Sequence, residues 1–97
     1  YTDVIEGHAR VQAVFSTGKK TRVAGVMVTD GRAVRNALAR VNREGNVVFE
    51  SSVTSLKRFK DDVSEVSTGV EAGVGLEGYA GFEQDDIIEF YRKERSD

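Results

Sequence analysis

The sequence predicts an all-β fold, a small closed or nearly closed barrel, and three observations carry that prediction. Six or so apolar segments of strand length recur at a spacing of roughly ten residues. Within several of them apolar and polar residues alternate with the period of two that a half-buried strand requires. Ten glycines and no proline point to tight turns and close backbone approaches.

Ala9, Val11, Ala13 and Phe15 alternate with Arg10, Gln12 and Val14, which puts the first four on one face of a strand. Ser16 to Lys20, with Gly18, reads as the turn that follows. Val23 to Val28 is a continuous apolar run interrupted by Gly25, where a bulge or another backbone is expected. Asp30-Gly31 is a turn signal. A third strand is expected over Ala37 to Arg43 and a fourth over Val47 to Val53. Glu44-Gly45-Asn46 forms the short loop between them, with Gly45 and Asn46 tolerating positive φ. Ala72, Val74 and Leu76 alternate with Gly73 and Gly75, which makes Glu71 to Leu76 a strand. The last strand is Asp86 to Tyr91, facing the core with Ile88 and Phe90 or with Ile87 and Tyr91. Leu56, Phe59, Val63 and Val66 have helical spacing, yet every flanking element is a short strand, so residues 56–66 are expected as irregular strand and loop. Residues 92–97 read as a frayed tail.

With 97 residues the chain has the size of one domain, which offers a binding face more readily than a deep catalytic cleft. An apolar fraction of 39% beside 31% charge fits a soluble globular domain. No membrane-length apolar run and no signal-peptide pattern are present, so a soluble, non-secreted domain is expected. The first residue is Tyr1 rather than methionine, which suggests a piece of a longer protein. The absence of cysteine removes disulfides, thiolate nucleophiles and the usual structural zinc sites. His8, the single histidine, reads as a solvated strand-edge residue. Charge is uneven: residues 1–60 carry +6 and residues 61–97 carry −8, with the crossover at Lys60/Asp61. Such asymmetry points to a charged partner for one half, unless folding interleaves the two into a mixed surface.

Several motifs fail on inspection. A phosphate-binding loop needs Ser or Thr directly after Gly18-Lys19 and a glycine five residues earlier, but Lys20 and Ala13 stand there. Gly73-Val74-Gly75 lacks the third glycine and following helix of a dinucleotide site. Asp61-Asp62 and Asp85-Asp86 are adjacent carboxylates that point to opposite faces of a strand, without calcium-loop spacing. They read as an acidic rim, and no enzyme is expected. The run Ser55-Leu56-Lys57-Arg58-Phe59-Lys60-Asp61-Asp62-Val63 remains. Lys57, Arg58 and Lys60 crowd three cations around Phe59, a combination suited to phosphate oxygens beside a stacked base. The same run also fits a solvated surface turn, with Phe59 in the core.

Val28-Thr29-Asp30-Gly31, the Ser55–Val63 run, Glu71-Ala72-Gly73-Val74-Gly75-Leu76-Glu77 and the closing Asp86-Ile87-Ile88-Glu89 occur in an order and spacing that resemble the C-terminal domain of bacterial-type translation initiation factor 2. The resemblance covers residues 5–91. It implies a six-stranded antiparallel β-barrel like the second domain of elongation factor Tu, lying as a single domain (1–97) at the end of a larger translational GTPase. It implies binding of the acceptor end of formylmethionyl initiator tRNA and its delivery to the small ribosomal subunit. The implied binding residues are Val26, Lys57, Arg58, Phe59, Lys60, Glu71, Ala72 and Gly73. Val26 and Ala72 stand where many relatives carry cysteine, and Asp85 replaces a usual turn glycine, a position Asp tolerates. No cofactor is expected in this domain, GTP and magnesium belonging to the parent's separate G domain. A monomer in the cytoplasm, or in an organelle's matrix or stroma, with the ribosome as partner and no membrane, completes the expectation.

The formyl group turns a methionine ammonium into a neutral amide. A small apolar pocket near Val26, Ala72 and Gly73 would accept the amide and penalise an unpaired ammonium by several kcal/mol. Glu71 would attract that ammonium, so its carboxylate is expected to point elsewhere, to a backbone N–H or the terminal ribose. A runner-up reading is a barrel that docks on ribosomal RNA, on protein or on a neighbouring domain.

Overall fold

Small apolar residues on every second position curl one antiparallel sheet until its two edges meet. The computed structural model describes residues 2–16, 22–58, 61–77 and 81–94. Eight strands are present there: β1 (Thr2–Ser16), β2 (Arg22–Val34), β3 (Leu38–Arg43), β4 (Asn46–Arg58), β5 (Asp61–Asp62), β6 (Glu65–Ser67), β7 (Glu71–Leu76) and β8 (Ile87–Glu94). Six of them form a ring in the order β1-β8-β3-β4-β7-β2, closed by pairing of β2 with β1. β5 adds to β4 and β6 to β2. The all-β expectation and the count of six ring strands both hold, and no helix occurs among the described residues.

Inside the ring lie Ala9, Val11, Ala24, Val26, Val28, Ala39, Val41, Leu56, Val74, Ile88 and Phe90, all almost wholly excluded from solvent. Alanine and valine dominate because facing strands of a narrow ring leave little width between them. Phe90, Leu56 and Ile88 are the largest side chains it holds. Of the two faces proposed for the last strand, Ile88 and Phe90 face the core, while Tyr91 is buried on the opposite face under Arg40, its hydroxyl donating to Glu50.

Several local expectations change. Asp30-Gly31 is not a turn, because β2 runs straight through it. Its pairing with β1 steps from His8↔Asp30 to Ala9↔Val28, so Thr29 is the extra residue of a bulge. Gly31 has φ of 61°, a conformation that bulges share with turns. In the β3–β4 hairpin the positive φ values fall on Glu44 (54°) and Gly45 (83°), not on Asn46. Arg43 pairs with Asn46, which leaves a two-residue loop of the left-handed kind that suits strand twist. Asp85 does adopt positive φ, 73°. Residues 92–94 belong to β8, where Thr2 pairs with Glu94, rather than to a frayed tail. His8 is not at an edge: it lies between β2 and β8, with Nε2 3.0 Å from Glu89 Oε2 and Nδ1 3.4 Å from Asp30 Oδ2.

A second bulge matters most for function. Val11 pairs with Val26, but the next pair is Ala13↔Gly25, so Gln12 is an extra residue on β1. One extra residue reverses the face of everything after it. Val14 therefore packs against the core, while Phe15, expected to share a face with Val11, stands outside the ring and is 57% exposed.

Candidate functional site

The described parts of the cationic run pair as two antiparallel strands. Leu56, fully buried, anchors it to the core, and the Val63 N–H donates to the Leu56 carbonyl at 3.0 Å. Lys57 pairs with Asp62 and Arg58 with Asp61. Residues 56–58 and 61–62 are thus strand, so the helical spacing noted in sequence is coincidental. Phe59 and Lys60 lie outside the described residues. The sign change at Lys60/Asp61 is no spatial border, because the acidic residues fold back directly opposite the cations.

On its other side β4 pairs with β7, which brings in the second implied segment. Lys57 faces Gly73, Gly73 faces Gly25, and Gly25 faces Ala13. This row crosses four strands with no side chain larger than a methyl until Lys57. A Cβ at Gly25 would come within 2.9 Å of Phe15 Cε2, and one at Gly73 within 3.2 Å of Val23 Cγ1. The Phe15 ring therefore occupies space that only glycine leaves free.

A groove of about 620 Å³ opens on this face, lined by Phe15, Met27, Arg58 and the segment Gly69 to Gly73. That volume lies within the usual range for small-ligand sites. Phe15, Met27, Val70 and Ala72 give it an apolar lining, while Arg58 and Glu71 supply opposite charges. Of the implied residues, Arg58, Glu71, Ala72 and Gly73 line this one groove, although 58 and 71–73 are separated in sequence. Lys57 is exposed on the adjoining row. Val26 is different. It is 1% exposed and pairs inside the ring with Ala72, so it supports the groove from beneath. Both positions call for a small apolar side chain, and valine and alanine supply it. Glu71 is exposed and lines the groove.

Sequence reasoning misses Phe15, Met27 and Gly25. Alternation alone puts Phe15 in the core, because nothing in the pattern marks Gln12 as a bulge. Among the described residues no group of three or more His, Asp or Glu side chains is placed to hold a metal ion. Among them, too, no helix is long and apolar enough to cross a membrane.

No family model matches the chain. Curated relatives do. The protein of Dehalococcoides mccartyi named translation initiation factor IF-2 is 48% identical over 94 residues, 97% of this chain and 16% of that protein. The protein of the same name from Moorella thermoacetica is 53% identical over 89 residues, 92% of this chain and 10% of the relative. That from Thermus thermophilus is 46% identical over 92 residues, 95% of this chain and again 16% of the relative. The chain thus spans between a tenth and a sixth of the curated relatives it matches. The matched part is a C-terminal β domain. Over nearly its whole length the chain is a counterpart of the C-terminal domain of proteins named translation initiation factor IF-2.

Proposed function

We propose that this domain acts in translation initiation by binding the acceptor end of formylmethionyl initiator tRNA and helping deliver it to the small ribosomal subunit. The observation that carries this reading is the convergence of Arg58 and Glu71–Gly73 on one apolar groove, with Lys57 beside it. A phosphate near Lys57 and Arg58 and an aminoacyl group over Ala72 and Gly73 match the two chemistries of an aminoacylated nucleotide. The domain works as a cytoplasmic monomer with no cofactor of its own, and GTP and magnesium act in a separate domain of the parent protein.

Titrating the 97-residue chain with the 3′-formylmethionyl ester of adenosine 5′-monophosphate, followed residue by residue in NMR spectra, tests the reading. Shifts of Lys57, Arg58 and Glu71–Gly73 together, with Phe59, Lys60 and the underlying Val26, are the expected outcome. No change there would favour a barrel that docks on ribosomal RNA or protein.

Discrimination between formylated and free amines rests on the apolar lining, because an ammonium placed there loses its water without gaining a full set of partners. Glu71→Gln is therefore expected to alter binding of formylated and unformylated fragments alike and to leave the formyl preference standing. Collapse of the preference in that variant would make Glu71 the discriminating group.

Salt dependence gives a third expectation. A grip on only the terminal nucleotides makes few phosphate contacts, so affinity falls gently with salt. Lys57→Ala with Arg58→Ala should reduce the slope of log affinity against log salt by about 1.4, the value for two single-strand phosphate contacts. An unchanged slope would remove both residues from the phosphate-binding set.

A further inference from the structure

We infer that Asp61 and Asp62 are selectivity residues: they offset the field of Lys57 and Arg58, so that a chain of phosphates alone gains little at this site. The inference rests on the proposed function and deepens it.

In an antiparallel pair, residues directly opposite each other share a face, with Cβ atoms about 4.5–5.5 Å apart. Lys57 stands opposite Asp62, and Arg58 stands opposite Asp61. Neighbours along one strand point to opposite faces, so each face of this ribbon carries one cation with one carboxylate beside it. All four residues are exposed, and together they carry no net charge.

The two aspartates differ from other carboxylates of the fold. Glu6, Glu65, Asp85, Asp86 and Glu89 each form an ion pair with an arginine, and these pairs tie strands and loops together. Among the described residues, Asp61 and Asp62 enter no such pair. Their charge therefore acts on whatever approaches the cations rather than on the cohesion of the ring. A phosphate that reaches Lys57 or Arg58 also meets a carboxylate at a comparable distance, and attraction and repulsion largely offset in water. Arg58 also lines the groove. A ligand that lays an aminoacyl group on the apolar lining next to Arg58 gains the contact that a bare phosphate chain lacks. Filling the groove thus decides affinity, and the phosphates of ordinary RNA do not.

The test uses the full chain and two probes, the 3′-formylmethionyl ester of adenosine 5′-monophosphate and an octamer of uridylate, which has phosphates but no aminoacyl group. Affinities are measured at about 0.01 M salt, where the Debye length is about 30 Å. In the double variant Asp61→Asn with Asp62→Asn, the octamer should bind at least about tenfold more tightly. That is the gain for lifting two carboxylates from one phosphate about 6 Å away in water. Several phosphates of the octamer lie within a Debye length, against one in the ester, so the octamer gains more and the preference for the ester falls. At about 1 M salt, with a Debye length of about 3 Å, the ester should bind the variant and the unaltered chain alike. Asp61→Glu with Asp62→Glu keeps both charges and should keep the preference. Glu44→Gln removes a charge beyond the opposite end of β4 and should leave both affinities nearly unchanged. Thermal melts confirm folding of each variant. An unchanged preference in the Asn variant would overturn the inference, as would an equal loss of preference in the Glu variant, and the proposed function would stand in either case. Failure of the unaltered chain to bind the ester would overturn the proposed function itself, and this inference with it.

Discussion

Alanine in place of Gly7 is expected to cost the domain about 3 kcal/mol or more, the upper end for forcing extra atoms into packed structure. Gly7 pairs with Gly31 where β1 and β2 close the ring. A Cβ on Gly7 would overlap the Arg32 backbone nitrogen and the Arg32 carbonyl oxygen. These are backbone atoms fixed in a ladder, so no rotamer change relieves the overlap. Gly31 carries the same problem, with a Cβ overlapping the Glu6 carbonyl oxygen, and a φ of 61° in addition. Gly45 isolates the second factor: its φ is 83°, but nothing lies within 4 Å of a Cβ there. Gly45→Ala should therefore cost only the left-handed penalty of about 1–2 kcal/mol. Urea unfolding midpoints of the three variants should rank Gly31→Ala as least stable, then Gly7→Ala, then Gly45→Ala. Against a total stability of about 5–15 kcal/mol for a domain of this size, the Gly31 variant keeps little margin. A Gly7 variant as stable as the Gly45 variant would mean that β1 and β2 do not approach this closely.

Removing the Asp86 carboxylate also has a large expected effect, about 3 kcal/mol for Asp86→Ala. Asp86 is only 2% exposed. It accepts hydrogen bonds from Arg43 Nε at 2.9 Å and Arg43 Nη2 at 2.8 Å, and from the Glu83 N–H at 2.9 Å. The clamp ties β3 to the loop before β8. That loop is in turn stitched to β1, since the Val11 N–H donates to the Asp86 carbonyl and the Asp85 N–H donates to the Val11 carbonyl. Burial pushes the Asp86 carboxyl up, but the Arg43 guanidinium and the Glu83 N–H outweigh it and hold the group below its ordinary value. A lowered folded value means that the contribution is fully present above the unfolded carboxyl range of about 4. It is lost as pH falls through the folded value. The stability gap between the unaltered chain and Asp86→Asn, measured by urea titration, should be constant at neutral pH and close on acidification below about pH 4. A gap that persists unchanged into acid would show that the carboxylate is not the source of the stability. Because the stitched strand position is next to Gln12, this variant should also disturb the bulge and hence the placement of Phe15.

Much of the ring is legible in the sequence because local chemistry and tertiary packing agree there. Glu71–Leu76 has the expected bounds, since alternating alanine, valine and leucine over glycine has one stable pairing with a core. The Ser55–Val63 run and Glu71–Gly73 stand out as binding segments in sequence, and Arg58 and residues 71–73 meet in one groove. Asp30-Gly31 misleads because a bulge and a turn use the same residues: both need positive φ, and only the partner strand distinguishes them. The helical spacing of Leu56, Phe59, Val63 and Val66 misleads because four residues fit more than one period, and strand pairing on either side of Leu56 decides the matter.

By itself the sequence determined the fold class, the strand content and the family. These follow from composition, alternation and ordered motifs, which are local or strictly linear properties. Tertiary structure alone decided which side of each strand faces the groove. The extra residue at Gln12 is defined only against Val26 and Gly25 on the neighbouring strand, and it turns Phe15 from an expected core residue into a wall of the groove. The same holds for Val26, which moves from a contact residue to a support beneath Ala72, and for Asp61 and Asp62, which lie across from the cations they follow in sequence. Register is a relation between two strands, and it has no counterpart in the order of residues along one.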